Sequence, residues 1–238
     1  MQSSALKSGA RKLMQERAPK IIFVSILFII ATTVMSQFEV RLTGIYAAYQ
    51  KYYEQILNGQ MPDFSLYFSY FNPAGAVLSL LLYLLQPVIE IGMVSYCLKT
   101  TRGAVGDYKD LLDGFLFFGK ILLIFIITTV LTFLWSLLFL FPGIAAHYRY
   151  RQSYYILLDD PDKSALQCIR ESKRIMRGNK VDLFLLDFSF IGWYLLDFLV
   201  VFLIPSPIPL PIVYIWLNPY MGLSRAAFYN QLLSRLAV

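Results

Sequence analysis

The feature that most constrains this chain is a series of long apolar segments, of which residues Phe118–Phe141 are the clearest. This run contains one charged residue, Lys120, and stops at Pro142-Gly143. A helix needs about 20 consecutive, mostly apolar residues to cross a bilayer, so the run predicts a membrane crossing. Composition agrees, because 58% of the residues are hydrophobic and 15% are charged. Soluble domains carry about 25% charged residues, so we predict an all-α integral membrane protein.

The same criterion, applied along the chain, predicts six crossings with both termini in the cytoplasm. Lysines and arginines flank the apolar runs in the pattern of the positive-inside rule, which fixes the orientation. The fourth crossing is short and polar, so we expect other helices to surround it. We expect one membrane domain, 1–238, in four parts: an amphipathic surface helix (1–19), four crossings (20–158), a cytoplasmic amphipathic helix (159–180), and two crossings with a tail (181–238). The predicted crossings are about Lys20–Phe38, Pro73–Leu98, Phe118–Phe141, Ile144–Leu158, Val181–Ile204 and a last one from Ile212, with a proline-rich outer turn at 205–211.

Two basic segments are predicted to form surface helices. Residues 4–17 place Leu6, Ala10, Leu13 and Met14 on one helical face, which is typical of a helix lying on an anionic membrane surface. Residues 163–177 repeat the pattern with an apolar stripe of Ala165, Leu166, Ile169, Ile175 and Met176. The candidate contacts for anionic lipid headgroups, or for a partner membrane protein, are Arg11, Lys12, Lys173, Arg174, Arg177 and Lys180. The net charge of +6 comes from cations that cluster beside the apolar runs, where the positive-inside rule and anionic lipid headgroups explain them, and no nucleic-acid motif accompanies the charge.

Four charged residues fall inside the predicted crossings: Glu90, Arg149, Arg151 and Asp187. Counting from the inner ends of the helices places them at similar depths, roughly 9 to 14 Å in. Charges at that depth are costly unless they are paired or hydrated. We therefore predict that Arg151 pairs with Asp187 and Arg149 with Glu90. The cluster either fixes helix register or lines a polar cavity for an ion, a headgroup or a small solute.

Three further polar residues are secondary candidates. Asp197 lies nearer the outer face, where it either reaches interfacial water or forms a proton relay with His147. Asn218, followed by Pro219, interrupts the predicted sixth helix, either as a simple kink or as a discontinuity of the kind found at transporter binding sites. The outer segment 39–72 is rich in aromatic residues, which favours an interfacial belt over a ligand-stacking site.

Motifs for known chemistry are absent from the sequence. The chain has one histidine and two cysteines, Cys97 and Cys168, and it contains no HExxH, CxxC, GxSxG, Walker A or GxGxxG pattern. We therefore predict no metal, no cofactor and no catalytic residue. Three functions stay open: a non-enzymatic module that binds lipids or a partner, a small transporter or permease, and a lipid-modifying enzyme.

The order of several motifs resembles a bacterial family of small multi-pass membrane proteins catalogued as domain of unknown function 975. The motifs are Arg102-Gly103, Asp110–Phe115, Leu134–Leu138, Pro142–Ile144, Tyr148–Tyr150, Tyr155–Pro161, Ser172–Lys180, Phe188–Trp193, Pro219-Tyr220 and Phe228-Tyr229. The pattern is also similar to the membrane-embedded part of some bacterial glycerophosphodiester phosphodiesterases, a region without a catalytic site. The resemblance implies a location in the bacterial plasma membrane and gives no activity.

Overall fold

A computed structural model describes residues 3–203 and 212–236. These residues form no strand, and helix makes up 84% of them. The predicted proline-rich turn at 205–211 lies outside the described residues. The helices are α1 Ser3–Glu16, α2 Ala18–Leu42, α3 Ile45–Leu57, α4 Leu66–Ser69, α5 Pro73–Thr101, α6 Asp113–Leu116, α7 Phe118–Leu138, α8 Leu140–Tyr150, α9 Ser153–Asp159, α10 Ala165–Ile175, α11 Lys180–Phe188, α12 Ile191–Leu203 and α13 Ile212–Leu236, with a 3-10 turn at Tyr108–Leu112.

Within the described residues, four stretches are long and apolar enough to cross a membrane: Lys20–Leu42, Pro73–Thr101, Phe118–Leu138 and Lys180–Val200. They coincide with the predicted first, second, third and fifth crossings. The predicted fourth crossing is divided into α8 and α9 by a turn at Arg151 and Gln152. A crossing by α8 with α9, or by α13, therefore stays a prediction.

Of the two alternatives predicted for Asn218-Pro219, the discontinuity is wrong, because α13 continues through Pro219, and the simple kink stays a prediction. A proline removes the backbone hydrogen bond to the carbonyl four residues earlier, here that of Ile215. The hydroxyl of Ser25 on α2 donates to this Ile215 carbonyl at 2.8 Å. A side chain from a neighbouring helix thus supplies the donor that the proline lacks, and the helix does not have to break.

The chain divides into two compact units, and α2 and α5 each contribute residues to both. Unit 2, residues 30–87, contains α3 and α4, whose aromatic side chains contact one another. The Tyr52 ring lies 5.5 Å from that of Phe64 and 6.1 Å from that of Tyr67, measured between ring centroids. Phe68 leaves 85% of its surface exposed, so the unit presents aromatic surface as expected, and its place at a membrane interface stays a prediction.

Unit 1 comprises residues 1–29 and 88–238 and holds a packed core. This core is built mainly from the second half of α5, from α9 and α10, and from α13, whereas α7 adds only Ile121 and Ile124 among its buried residues. The Lys120 ammonium, at the start of α7, donates to the carbonyl of Pro161, just after α9. The chain therefore leaves along α7 and returns along α8 and α9 to the end where α7 began.

The segment after α5 packs backbone to backbone against that helix. A Cβ atom added at Gly92 would lie 2.0 Å from the Leu111 carbonyl oxygen, and one added at Gly114 would lie 1.9 Å from that of Val88. Both glycines are therefore required by this close approach, since any larger residue would push the two segments apart.

Candidate functional site

The α10 helix buries its apolar side and exposes its cations. Ser164 caps the helix by accepting from the Gln167 amide, and the Gln167 side chain accepts from the Ser164 amide. Of the predicted apolar stripe, Leu166 stays 53% exposed, and the rest packs into the core of unit 1. The four cations on the opposite side are all exposed, and we call them the α10 cationic surface: Arg170, Lys173, Arg174 and Arg177.

The carboxylates near the α10 cationic surface form ion pairs mainly with Lys163. The Lys163 ammonium lies 2.7 Å from Glu171 and 3.4 Å from Asp160, and the hydrogen bond to Glu171 raises the pKa of Lys163. Arg174 approaches Glu171 at 3.7 Å. Among the described residues, this is the closest ion pair formed by the four cations, so their face of the molecule is strongly positive.

The apolar face of α1 also packs against protein. Ala10 and Met14 are buried, and α1 lies against α13 and α11. The prediction that this face lies on the membrane is therefore wrong: the same amphipathic pattern serves helix packing, which periodicity alone does not distinguish. Arg11 and Lys12 are exposed, Lys12 lies 3.9 Å from Glu16, and Lys180 is half-buried at the start of α11.

A hydrogen-bonded network ties several helix ends of unit 1 together. The Arg102 guanidinium, just after α5, contacts both Asp159 oxygens, at 2.5 and 2.9 Å, and donates through Nε to the Asn230 side-chain oxygen at 3.0 Å. The Tyr229 hydroxyl donates to Asp159 at 2.9 Å. The hydrogen bond with Asp159 raises the pKa of Arg102. We call this region, where α5 and α9 end, α7 begins and α13 passes, the charged end of unit 1.

Sequence reasoning missed this network, although one signal was present. Arg102 lies four residues beyond the second predicted crossing, and Asp159 directly follows the fourth. Opposite charges just beyond two helices that end on the same side are natural partners. A second pair of contacts reinforces the region, because the Lys99 ammonium lies 2.6 Å from both Asp110 and Asp113.

The predicted intramembrane cluster forms with a different partner. Asp187 on α11 pairs with Arg225 on α13, with Nε and Oδ1 separated by 2.8 Å and side-chain exposures of 15% and 21%. The predicted ion pair of Asp187 with Arg151 is thus replaced. The predicted last crossing begins at Ile212, and α13 continues for several turns beyond Arg225.

Arg151 and Glu90 belong to the same electrostatic surroundings. The charges of Arg225, Asp187 and Glu90 all act on the Arg151 guanidinium. Arg149 lies elsewhere, with its guanidinium carbon 5.7 Å from the centroid of the Trp135 ring, close enough for a cation–π contact. The structure therefore brings together Glu90, Arg151 and Asp187 from the predicted set, adds Arg225, and places Arg149 against an aromatic ring.

The secondary candidates lie in separate surroundings. The His147 ring meets Tyr148 edge to face at 5.4 Å, and the charges of Arg151, Asp187 and Arg225 act on it. Asp197 acts instead on Tyr214. Within the described ranges, the buried polar atoms without a hydrogen-bond partner are Asp197 Oδ1, Asn218 Nδ2, Gln152 Oε1, Tyr220 Oη and Gln231 Oε1. Across residues 3–203 and 212–236, no group of three or more His, Cys, Asp or Glu residues is placed to hold a metal ion.

The fold and the charged residues together define a helical protein with four stretches able to cross a membrane. Residues 137–236 match the model of a family described as protein of unknown function (DUF975). The matched region contains the α10 cationic surface, Asp159 and the Asp187–Arg225 pair. No curated protein and no solved structure matches the chain. The similarity to the membrane part of glycerophosphodiester phosphodiesterases stays a prediction.

Proposed function

We propose that this protein is a non-enzymatic membrane module of the bacterial plasma membrane that binds anionic lipid headgroups through the α10 cationic surface. The single observation that carries the proposal is the separation of the two sides of α10. Its apolar side is occupied by the protein core, so its exposed cations serve no packing role. Each lysine or arginine near an anionic membrane surface contributes about 1 kcal/mol of attraction, so four acting together favour a lipid surface.

The location of α10 supports a lipid target over a soluble one. The helix packs against α7, a candidate membrane span, and the Pro161 carbonyl just before it is bound by Lys120 at the start of that span. The segment that leads into α10 thus lies close to the level where the apolar part of α7 begins. Phosphate groups of a bilayer occupy that level, since they border the hydrocarbon region.

Six crossings with both termini in the cytoplasm remain part of the proposal. Contacts at the charged end of unit 1 support it, because α5 ends, α7 starts and α9 ends there, and the carboxyl-terminal half of α13 passes through it. The start of α2 is tied to the same region, since Arg17 donates to the carbonyls of Gly103 and Ala104. Successive helix ends in this region are therefore joined by an even number of membrane crossings. The many lysines and arginines nearby favour the cytoplasmic side.

The lipid proposal is tested by removing two cations from the α10 cationic surface. The double variant Lys173→Gln, Arg177→Gln should retain several-fold less phosphatidylglycerol than the wild type after purification in a neutral detergent, as measured by mass spectrometry of extracted lipids. The matched control, Arg41→Gln with Lys51→Gln, removes the same net charge from unit 2 and should retain wild-type amounts. Equal retention by both double variants would reject lipid binding by α10, and loss of a co-purified acidic protein instead would identify a protein partner.

The topology is tested separately with single cysteines in a Cys97→Ser, Cys168→Ser background. Arg177→Cys should react with a membrane-impermeant maleimide from the cytoplasmic side, and Lys51→Cys from the outer side. Both native cysteines are buried and unbonded, so their replacement removes no disulfide. Labelling of both positions from the same side would contradict six crossings.

A small transporter is the second candidate, favoured by the division of the fourth predicted crossing at Arg151 and Gln152. Gln152 is 1% exposed, and its Oε1 atom has no partner among the described residues, which is a place for water or a polar solute. Single cysteines at Glu90, Arg151 and Asp187 separate the two functions. Fast labelling from the cytoplasm would favour a hydrated path, and the module proposal expects slow labelling because the ion pairs are dry.

A further inference from the structure

A cavity of about 400 Å³ opens beside the start of α2 and is distinct from the α10 cationic surface. Three structural elements surround it: the turn between α1 and α2, the last turns of α5, and the loop that follows α5. Its volume falls within the range of about 300 to 1,000 Å³ that is usual for small-molecule sites. The lining residues are Glu16, Arg17, Lys20, Tyr96, Val105 and Gly106.

The two cations of the cavity, Arg17 and Lys20, are available to bind an anion. The Arg17 guanidinium donates to the carbonyl oxygens of Ala104 at 2.5 Å and Gly103 at 3.3 Å, which fixes its position without neutralising its charge. Lys20 is exposed, and within the described part of the chain no carboxylate lies within 4.0 Å of its ammonium. Glu16 is the one acidic residue of the lining, so two positive charges face one negative charge.

The cavity combines this positive rim with an apolar wall. Val105 is 76% exposed and supplies the accessible apolar surface, whereas Tyr96, at 2% exposed, lies buried in the lining. Gly106 is required beside Tyr96, because a Cβ atom there would lie 2.5 Å from the Tyr96 ring. A ligand that fits these surfaces has a phosphate or similar anion next to an apolar part.

The cavity also lies at the boundary of the predicted hydrocarbon region. Lys20 begins the first candidate span, and Tyr96 lies little more than a turn before Thr101, where the second candidate span ends. We infer that the cavity is a binding site for the phosphate ester of one amphiphilic molecule, with Arg17 and Lys20 as the anion contacts and Val105 as the apolar contact. A phospholipid headgroup and a soluble phosphate ester share this chemistry.

The experiment uses the full chain in a neutral detergent and titrates it with short-chain dihexanoyl phosphatidylglycerol, counting bound molecules by native mass spectrometry. Lys20→Gln should weaken binding of the first molecule about tenfold, as expected for one charge-assisted contact. Lys20→Arg keeps the charge and should bind within about twofold of the wild type, as should the matched control Lys109→Gln, which removes an exposed cation from outside the cavity lining. Equal affinities for Lys20→Gln and Lys109→Gln would overturn the inference.

Two further arms identify the source of the phosphate and separate this site from the proposed function. Glycerol 3-phosphate that competes with the lipid, and loses affinity in Lys20→Gln, would assign the site to soluble phosphate esters, whereas lack of competition would assign it to a lipid. The double variant Lys173→Gln, Arg177→Gln should leave the first binding event unchanged. If that double variant instead abolished it and Lys20→Gln did not, the cavity would be rejected and the α10 cationic surface retained.

Discussion

Of two helices of unit 1, α7 is the more apolar and α10 is the more buried. In soluble proteins the more apolar helix is usually the more buried one. In α7, which is apolar nearly throughout, two of 21 residues are buried. In α10, which carries several charges, five of 11 residues are buried. Apolar side chains gain little by leaving lipid for protein, whereas at an aqueous boundary the hydrophobic effect drives them into a core. Burial in this molecule therefore follows contact with water rather than hydrophobicity.

The same contrast explains where the polar contacts lie. The core residues of α9, α10 and α13 lie beside the contacts that Asp159 makes with Arg102 and Tyr229. A packed core holds these side chains in one geometry, which is what a bidentate contact requires. The exposed faces of α7 and α12, by contrast, carry large apolar side chains such as Phe133 and Phe198, at 61% and 70% exposure.

The largest expected effect comes from truncating a buried leucine of the core, and the same truncation of an exposed leucine on α7 is the comparison. Leu157 on α9 is 0% exposed, so Leu157→Ala should reduce the free energy of unfolding by about 3 kcal/mol, through lost contacts and a cavity. Leu137 on α7 is 67% exposed, so Leu137→Ala should change it by less than about 0.5 kcal/mol. Denaturation with sodium dodecyl sulfate in mixed micelles measures both. Similar losses for the two variants would contradict a lipid-facing α7.

Neutralising one member of the Asp187–Arg225 pair should have the next largest effect. Asp187→Asn leaves Arg225 without its partner and should cost about 2 kcal/mol, a value reduced from that of a fully buried pair because both side chains keep some exposure. The double variant with Arg225→Gln should cost less than the sum of the two single variants. A simple sum in the same mixed-micelle assay would show that the two residues are not coupled.

A smaller loss is expected where α5 meets the following segment. Gly92→Ala places a methyl group against the Leu111 carbonyl and should reduce the free energy of unfolding by about 1.5 kcal/mol through overpacking. Gly119→Ala is the matched control, since a Cβ atom at Gly119 meets nothing within 4 Å. Thermal unfolding in detergent compares the two variants, and an equally stable Gly92→Ala would refute the close approach.

The smallest effect on stability is expected on the α10 cationic surface. Lys173 is exposed and forms no ion pair within 4.0 Å in the described part of the chain, so Lys173→Gln should change the free energy of unfolding by less than about 0.5 kcal/mol. A larger loss in the thermal assay would mean that the cation has a structural role, which would weaken the case for a binding surface.

The sequence by itself determined the helical class and four membrane-length stretches, because both depend on local composition and length. It also located Asp187 and Arg151, since charges inside apolar runs are visible without a structure, but it missed Arg225 and the contact of Arg102 with Asp159. The tertiary structure alone decided their partners. Arg225 reaches Asp187 along an α13 that continues through Pro219, where Ser25, far away in sequence, donates to the Ile215 carbonyl.

The tertiary structure likewise determined what the apolar faces of α1 and α10 pack against. A helical stripe such as Ala10 with Met14 fits a membrane surface and a protein core equally well, because both reward the removal of apolar area from water. Which of the two receives the stripe depends on the helices that lie nearby, here α13 and α11 for α1. Periodicity therefore predicts that a face is removed from water. Only packing between distant parts of the chain determines whether protein or membrane covers that face.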